Sequence, residues 1–218
     1  MRSRTPRLWW YLLPFLFFPT APIQAAEPCA GATARFFMAK GNIQIIRSGQ
    51  PQWQPVGLQA PLCEGDRLRV GKSGSAAVVL PDRSQIRLSP RTVVSLVGID
   101  PEKPVWVNMI EGFLHFFSHK PRKLTITTPI ANAGPEGTEF VLGLTPKKAS
   151  LWVFDGHVRF SNPAGSVLVE SGEQAEAETG KVPQKRIIVR PRDAVEWALY
   201  YPPLIDTRKA PQMAGSDH

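Results

Sequence analysis

The sequence predicts a mainly β protein, with stacked antiparallel strands in a β-roll or solenoid-like sandwich and one short C-terminal helix. Three observations lead there. From Gly41 onward apolar residues recur at every second position in short runs, the period of a half-buried strand and not of a helix. Turn residues separate those runs, and 22 Pro with 17 Gly in 218 residues argue against long helical bundles and coiled coils. Hydrophobic content of 43% with 20% charged residues is that of a globular chain, and the length suits one domain with an appendage.

Residues 1–25 read as a secretory signal peptide, because Arg2, Arg4 and Arg7 precede the apolar run Leu8 to Phe18 and small residues follow at Ala25 and Ala26. The run contains Pro14 and is far shorter than the roughly 20 residues of a membrane span. Cleavage is expected after Ala25, with an uncleaved anchor as the alternative. It removes three arginines, so the charge falls from +8 to +5 (8 − 3). The expected location is the periplasm. Cys29 and Cys63 form an even pair in an oxidising compartment, which favours a disulfide worth roughly 3–4 kcal/mol on the chain-entropy account. The alternatives are a buried thiol or metal ligation with histidines. No CxxC motif occurs, so thiol–disulfide catalysis is not expected.

A β domain is expected over 26–190. Ile43 to Arg47 alternates, Ser48 to Pro51 turns, and Trp53 to Val56 begins the next element. Arg67 to Val70 alternates strictly, Gly71 to Gly74 turns, and Ala76 to Leu80 is a buried run. Pro81 to Ser84 makes a tight turn, since Pro presets φ and Asp82 can bond back to the backbone. Strands follow at Ile86 to Leu88, Val93 to Val97 and Val105 to Ile110. Glu111–Gly112 then reads as a turn before Phe113 to Phe117. Lys123 to Thr128, Glu139 to Leu142 and Ser150 to Phe154 continue the series. Asp155–Gly156 is a hairpin signal before His157 to Phe160, and Ser166 to Val169 comes last. A weak internal echo links two strand-turn-strand units, which begin at Gly41 and Gly156 and end in Gly65–Asp66 and Gly172–Glu173, as a stacked sheet would.

Residues 191–203 predict a short amphipathic helix, with Asp193 as cap, Glu196 three residues on, and Pro202–Pro203 as the stop. Ala194, Trp197, Ala198 and Tyr201 make one apolar stripe. So short a helix is marginal alone and must bury that stripe. It does so either on its own β domain or by docking helical repeats or another subunit through Trp197, Tyr200 and Tyr201. Residues 204–218 are expected to be a disordered tail.

The ordered set Gly65-Asp66-Arg67, Gly74-Ser75-Ala76, Leu80 to Leu88, Glu111-Gly112, Ile126 to Pro129, Gly137 to Phe140 and Asp155 to Val158 resembles the FecR domain family. The resemblance runs from about Gly41 to Gly180. It implies a mainly β periplasmic domain that binds or senses something, with no established catalytic residues and no cofactor. Gly65, Asp66, Asp82, Thr128, Pro129, Gly137, Thr138, Glu139, Phe140 and Gly156 then carry structural roles. In the regulator that names the family, an anti-sigma segment and a transmembrane helix precede this domain. Here the leader replaces both, so transmembrane sigma-factor control is not expected. The segment from Val189 to Pro203 resembles an exported subgroup in which the domain leads into tetratricopeptide repeats, although the repeats themselves do not follow in this chain.

Several constellations imitate active sites. Gly65 to Gly71-Lys72-Ser73 resembles a phosphate loop, but five residues separate the glycines where four are required. Glu111, His115 and His119 would align on a helix, yet on a strand neighbours four apart stand roughly 13 Å from each other, too far for one metal. No Gly-x-Ser-x-Gly elbow or readable carboxylate pair occurs, so no catalytic, metal or cofactor residue is named. Basic groups lie at Arg67/Arg69/Lys72, Lys120/Arg122/Lys123 and Lys185/Arg186/Arg190/Arg192. They either solvate the surface or meet an anionic envelope partner such as peptidoglycan. No nucleic-acid recognition motif occurs. The expected function is an exported, noncatalytic envelope-binding or sensing module, whose partner is a protein or an envelope polyanion. The alternatives are an assembly module docked through the C-terminal helix and an envelope polysaccharide enzyme with no nameable acid/base pair.

Overall fold

The computed structural model describes Cys29 and residues 34–58, 60–100, 102–119, 124–136 and 139–187. The expected leader, C-terminal helix and tail lie outside these residues. The described elements are all strands: β1 (Ala34–Lys40), β2 (Ile43–Ile46), β3 (Gln54–Pro55), β4 (Pro61–Leu62), β5 (Arg67–Val70), β6 (Ser75–Val79), β7 (Gln85–Leu88), β8 (Val93–Gly98), β9 (Val105–Phe117), β10 (Leu124–Thr127), β11 (Asn132–Pro135), β12 (Glu139–Leu144), β13 (Lys148–Asp155), β14 (His157–Asn162), β15 (Gly165–Glu170), β16 (Glu173–Glu178) and β17 (Gln184–Ile187).

They form two sheets that share one strand. Sheet I runs β4-β1-β6-β7-β9-β12-β13-β16-β17. Sheet II runs β3-β2-β5-β8-β9-β10-β11-β14-β15. Every pairing is antiparallel except β9 with β10. The shared strand makes the whole one open 17-stranded sheet. Strand alternation sends Ile43, Leu68 and Phe160 inward from sheet II and Leu114, Phe116 and Phe140 inward from sheet I, and all six join a single buried cluster.

β9 departs from the expected turn at Glu111–Gly112. The strand continues through both residues: Val105 to Glu111 pairs with sheet II, and Gly112 to Phe117 pairs with sheet I. Gly112 takes φ +98°, so the chain bends between layers instead of reversing. The internal echo has a matching explanation. Gly41, Gly65, Gly156 and Gly172 all have positive φ and all lie where the chain passes from one sheet to the other. The second unit is thus a pair of crossings around the β14–β15 hairpin, whereas the first holds three, because β4 joins sheet I between the β2–β3 hairpin and Gly65. Such bends need a residue free of a Cβ penalty.

Cys29 is bonded to Cys63 with their Cα atoms 5.4 Å apart, which fastens the segment before β1 to the turn after β4. The oxidised protein is expected to melt well above the reduced one. Equal melting temperatures by calorimetry would show that the link contributes nothing.

Candidate functional site

The residues named from the family resemblance are mostly turn and junction devices. The Asp66 carboxylate is 1% exposed; it accepts hydrogen bonds from Arg47 Nη1 at 2.7 Å, Cys63 N–H at 2.8 Å and Ser48 N–H at 3.2 Å. Asp82 accepts from Ser84 N–H at 2.9 Å, closing the β6–β7 turn. Thr128 Oγ1 donates to the Ala131 carbonyl at 2.6 Å and accepts from Ala131 N–H at 3.0 Å, shaping the β10–β11 turn that contains Pro129. Phe140 is fully buried against Phe116, with ring centres 5.3 Å apart. Gly156 turns β13 into β14 with φ +79°. Gly137 and Thr138 lie outside the described residues, as do Trp197, Tyr200 and Tyr201.

The false active sites resolve into structure. At Gly71 to Gly74 the chain closes a turn, in which Gly71 N–H donates to the Asn42 carbonyl at 2.8 Å and Gly74 N–H to the Gly71 carbonyl at 3.1 Å, so both glycine amides are already bonded within the protein. Glu111 stands in the sheet II half of β9 while His115 stands in the sheet I half, where it pairs with Glu139 Oε1 at 3.0 Å. Among the described residues no three metal-ligating side chains converge.

The outer faces of the two sheets differ, and register makes the difference visible. On sheet II the outward row through Arg67, Ser95, Asn108 and Thr127 is polar, with Asn132, Ser161 and Ser166 continuing it beyond β10. A parallel row sets Gly98, Trp106 and Thr125 side by side, then Gly134, Arg159 and Leu168. Trp106 is 50% exposed, an unusual state for an indole on an open sheet face. Gly98 presents no side chain to Trp106 on the β8 side, where a Cβ would stand 3.8 Å from the Trp106 Cβ. Arg67 Nε donates to Ser95 Oγ at 3.3 Å. Arg69 donates to Gln44 Oε1 and lies 4.2 Å from the Trp53 ring centre, so this guanidinium is held in place. Arg67 and Arg69 in β5 and Arg159 in β14 give the face two positive sites on either side of Trp106, five strand spacings or roughly 24 Å apart, with the carboxylates Glu111 at the bend of β9 and Glu170 at the end of β15. Strand spacing of about 4.8 Å puts Trp106 and Arg159 roughly 14 Å apart, three strands along the row.

On sheet I the outward row reads Met38, Ala77, Arg87, His115, Val141, Trp152, Gln174 and Arg186 across eight strands. Its middle is buried: Arg87 is 5% exposed and His115 3%, while Val141 packs with Phe113, Trp152 and Phe154 in a second, smaller apolar cluster. Phe113 lies over Gly143, where a Cβ would meet the ring.

The comparisons fit this frame. The FecR protein family model matches residues 66–159, from buried Asp66 through Arg159 in β14. The chain carries a FecR domain. Outside the FecR match, β1 to β4 and β15 to β17 extend both sheets at their edges. Among solved structures, two crystal structures of a proposed anti-sigma factor from Parabacteroides distasonis share the fold with a TM-score of 0.54 and 19% identity. They cover 61% of this chain and 63% and 64% of their own, so the match spans less than two thirds of those proteins. No curated protein matches the chain in sequence.

The signals that sequence alone could not show are positional. Trp106 and Arg159 stand 53 residues apart in the chain (159 − 106) and meet on one face only through the β9-β10-β11-β14 order.

Proposed function

We propose that this chain is an exported, noncatalytic FecR-domain module that binds or senses a component of the bacterial cell envelope through the outer face of sheet II. The observation that carries the reading is the half-exposed Trp106 on a hydroxyl- and amide-rich sheet face that carries Arg67 to one side and Arg159 to the other. An indole offers a flat apolar platform for a sugar ring, and hydroxyls beside it with guanidiniums farther along the face can bond ring hydroxyls and carboxylates of one extended polymer. That chemistry fits an anionic envelope polymer such as peptidoglycan. The regulatory description of the Parabacteroides distasonis neighbour accords with a sensing role. The leader read at residues 1–25 supplies the periplasmic location that such a partner requires.

Purified mature protein is expected to pellet with isolated peptidoglycan sacculi at moderate salt. The double substitution Trp106→Ala with Arg159→Ser is expected to weaken that binding by about tenfold, the factor that about 1.4 kcal/mol of lost affinity gives. Because both side chains are exposed, the melting temperature stays close to that of the parent. A protein left in the supernatant at low as well as at moderate salt sinks the polymer reading and turns the search to protein partners.

A further inference from the structure

The outer face of sheet I has the burial of an interior but no described helix or strand over it. All 17 described strands belong to the two sheets, and sheet II lies on the opposite, inward side. Yet Gln85 is 1% exposed on this outer face, beside the buried row of Arg87, His115 and Val141. Both amide atoms of Gln85, Nδ1 of His115 and Nε1 of Trp152 are buried without a hydrogen-bond partner among the described residues. Such atoms are costly when left unpaired, so a cover for this face must bring polar groups as well as apolar surface.

We propose that the cover is this chain's own segment Asp193 to Tyr201, laid as a helix across β13, β12 and β9. Position favours it first. β17 is the edge strand of sheet I, clamped to β16 by Lys185 and Glu173, 2.8 Å apart. Burial pushes the Glu173 carboxyl up, but the Lys185 ammonium and the Glu170 N–H outweigh it and hold the group below its ordinary value. The chain therefore leaves the described fold at a fixed edge of this very sheet. Asp193 lies six positions after Ile187, a reach of about 20 Å, whereas three strand spacings from β17 to β12 need only about 14 Å. A nine-residue helix is about 13 Å long, enough to lie over three strands.

Chemistry favours it second. The stripe Ala194, Trp197, Ala198 and Tyr201 matches the apolar cluster of Phe113, Val141, Trp152 and Phe154. The Trp197 indole and the hydroxyls of Tyr200 and Tyr201 offer the polar groups that Gln85 and His115 lack. In this arrangement the smaller cluster becomes a second, closed core, and a protein partner reaches sheet I only by displacing the segment. The proposal concerns the other face from the one assigned to the envelope polymer, so it stands or falls separately.

The test uses the full mature chain with p-benzoylphenylalanine in place of Trp197, photolysed as a mixture of isotope-labelled and unlabelled molecules. Cross-links are expected within one chain, to peptides spanning Phe113–Phe117, Glu139–Leu144 or Ser150–Phe154. Cross-links confined to sheet II, cross-links between labelled and unlabelled chains, which would seat a second copy there, or an absence of cross-links would each overturn it. As a second readout, Trp197→Glu is expected to raise binding of an apolar fluorescent dye several-fold with the far-ultraviolet dichroism retained, while Trp197→Phe leaves it unchanged. A Trp197→Glu chain that binds no more dye than the parent also overturns the proposal.

Discussion

Asp66→Ala is expected to lower the unfolding free energy by about 3–5 kcal/mol, the cost of removing one partner from a buried ion pair. The carboxylate holds three donors from two separate loops: Arg47 and Ser48 after β2, and Cys63 in the turn after β4. Without it, the Cys63 N–H loses its carboxylate acceptor, and the Arg47 guanidinium, 2.7 Å from the carboxylate, keeps the Pro61 carbonyl but loses its charge partner. Asp66 is also bonded through its backbone to Leu96, so the loss propagates into β8 at the start of the matched domain. Asp66→Asn keeps an acceptor oxygen and is expected to lose roughly half as much, since hydrogen bonds to a charged group exceed neutral ones by about a factor of two. Urea denaturation with an unchanged slope measures both. A midpoint shift for Asp66→Ala worth under about 1 kcal/mol would show that the knot is held by the disulfide alone.

The sequence made the central strands legible because their cores alternate cleanly: Ile43 and Ile45, Leu68 and Val70, Leu124 and Ile126 all point inward at period two. Where alternation is broken, the strands were hidden. In β1 the register shifts between Phe36 and Met38, which places apolar residues on both faces of one short run. β11 reads as Asn-Ala-Gly-Pro, the composition of a turn, yet Ala133 enters the core and Asn132 to Pro135 pair residue by residue with β14. β16 has no large apolar residue, and only two small residues, Ala175 and Ala177, mark its inward face. Propensity is a weak guide for such strands, because sheet neighbours and not local composition decide them. The candidate site was hidden for the same reason. Trp106 is one aromatic among many in the sequence, and its exposure depends on which strands flank β9. His115 and Glu139 were each singled out in the sequence, but as a false metal site and a family motif; the pairing of the two comes only from the register of β9 with β12.

Gly112 is the position where the two-sheet architecture depends on one missing methyl, and Gly112→Val is expected to cost on the order of 2–6 kcal/mol. Two separate terms contribute. The backbone stands at φ +98°, where an L side chain is strained by about 1–3 kcal/mol. A Cβ there also runs into Thr92, whose Oγ1, Cβ and Cα all lie inside normal contact distance. Thr92 has no freedom to yield. Its hydroxyl accepts from Phe113 N–H at 3.1 Å, donates to the Phe113 carbonyl at 3.1 Å and lies 3.1 Å from Ser89 Oγ. Those bonds serve the backbone of β9 at the bend itself, so pushing Thr92 aside removes what satisfies the strand as it changes sheets. Since the collision begins at Cβ, Gly112→Ala is expected to cost nearly as much as Gly112→Val, whereas an effect of side-chain bulk would rise steeply from Ala to Val. The comparison is made by equilibrium denaturation of both variants with the disulfide intact. If Gly112→Ala leaves the midpoint unchanged, β9 can bend elsewhere, and the shared strand is not what fixes the two sheets in register. If both variants fall together, the Glu111–Gly112 pair in the family pattern is explained by a crossing between layers and not by a reversing turn.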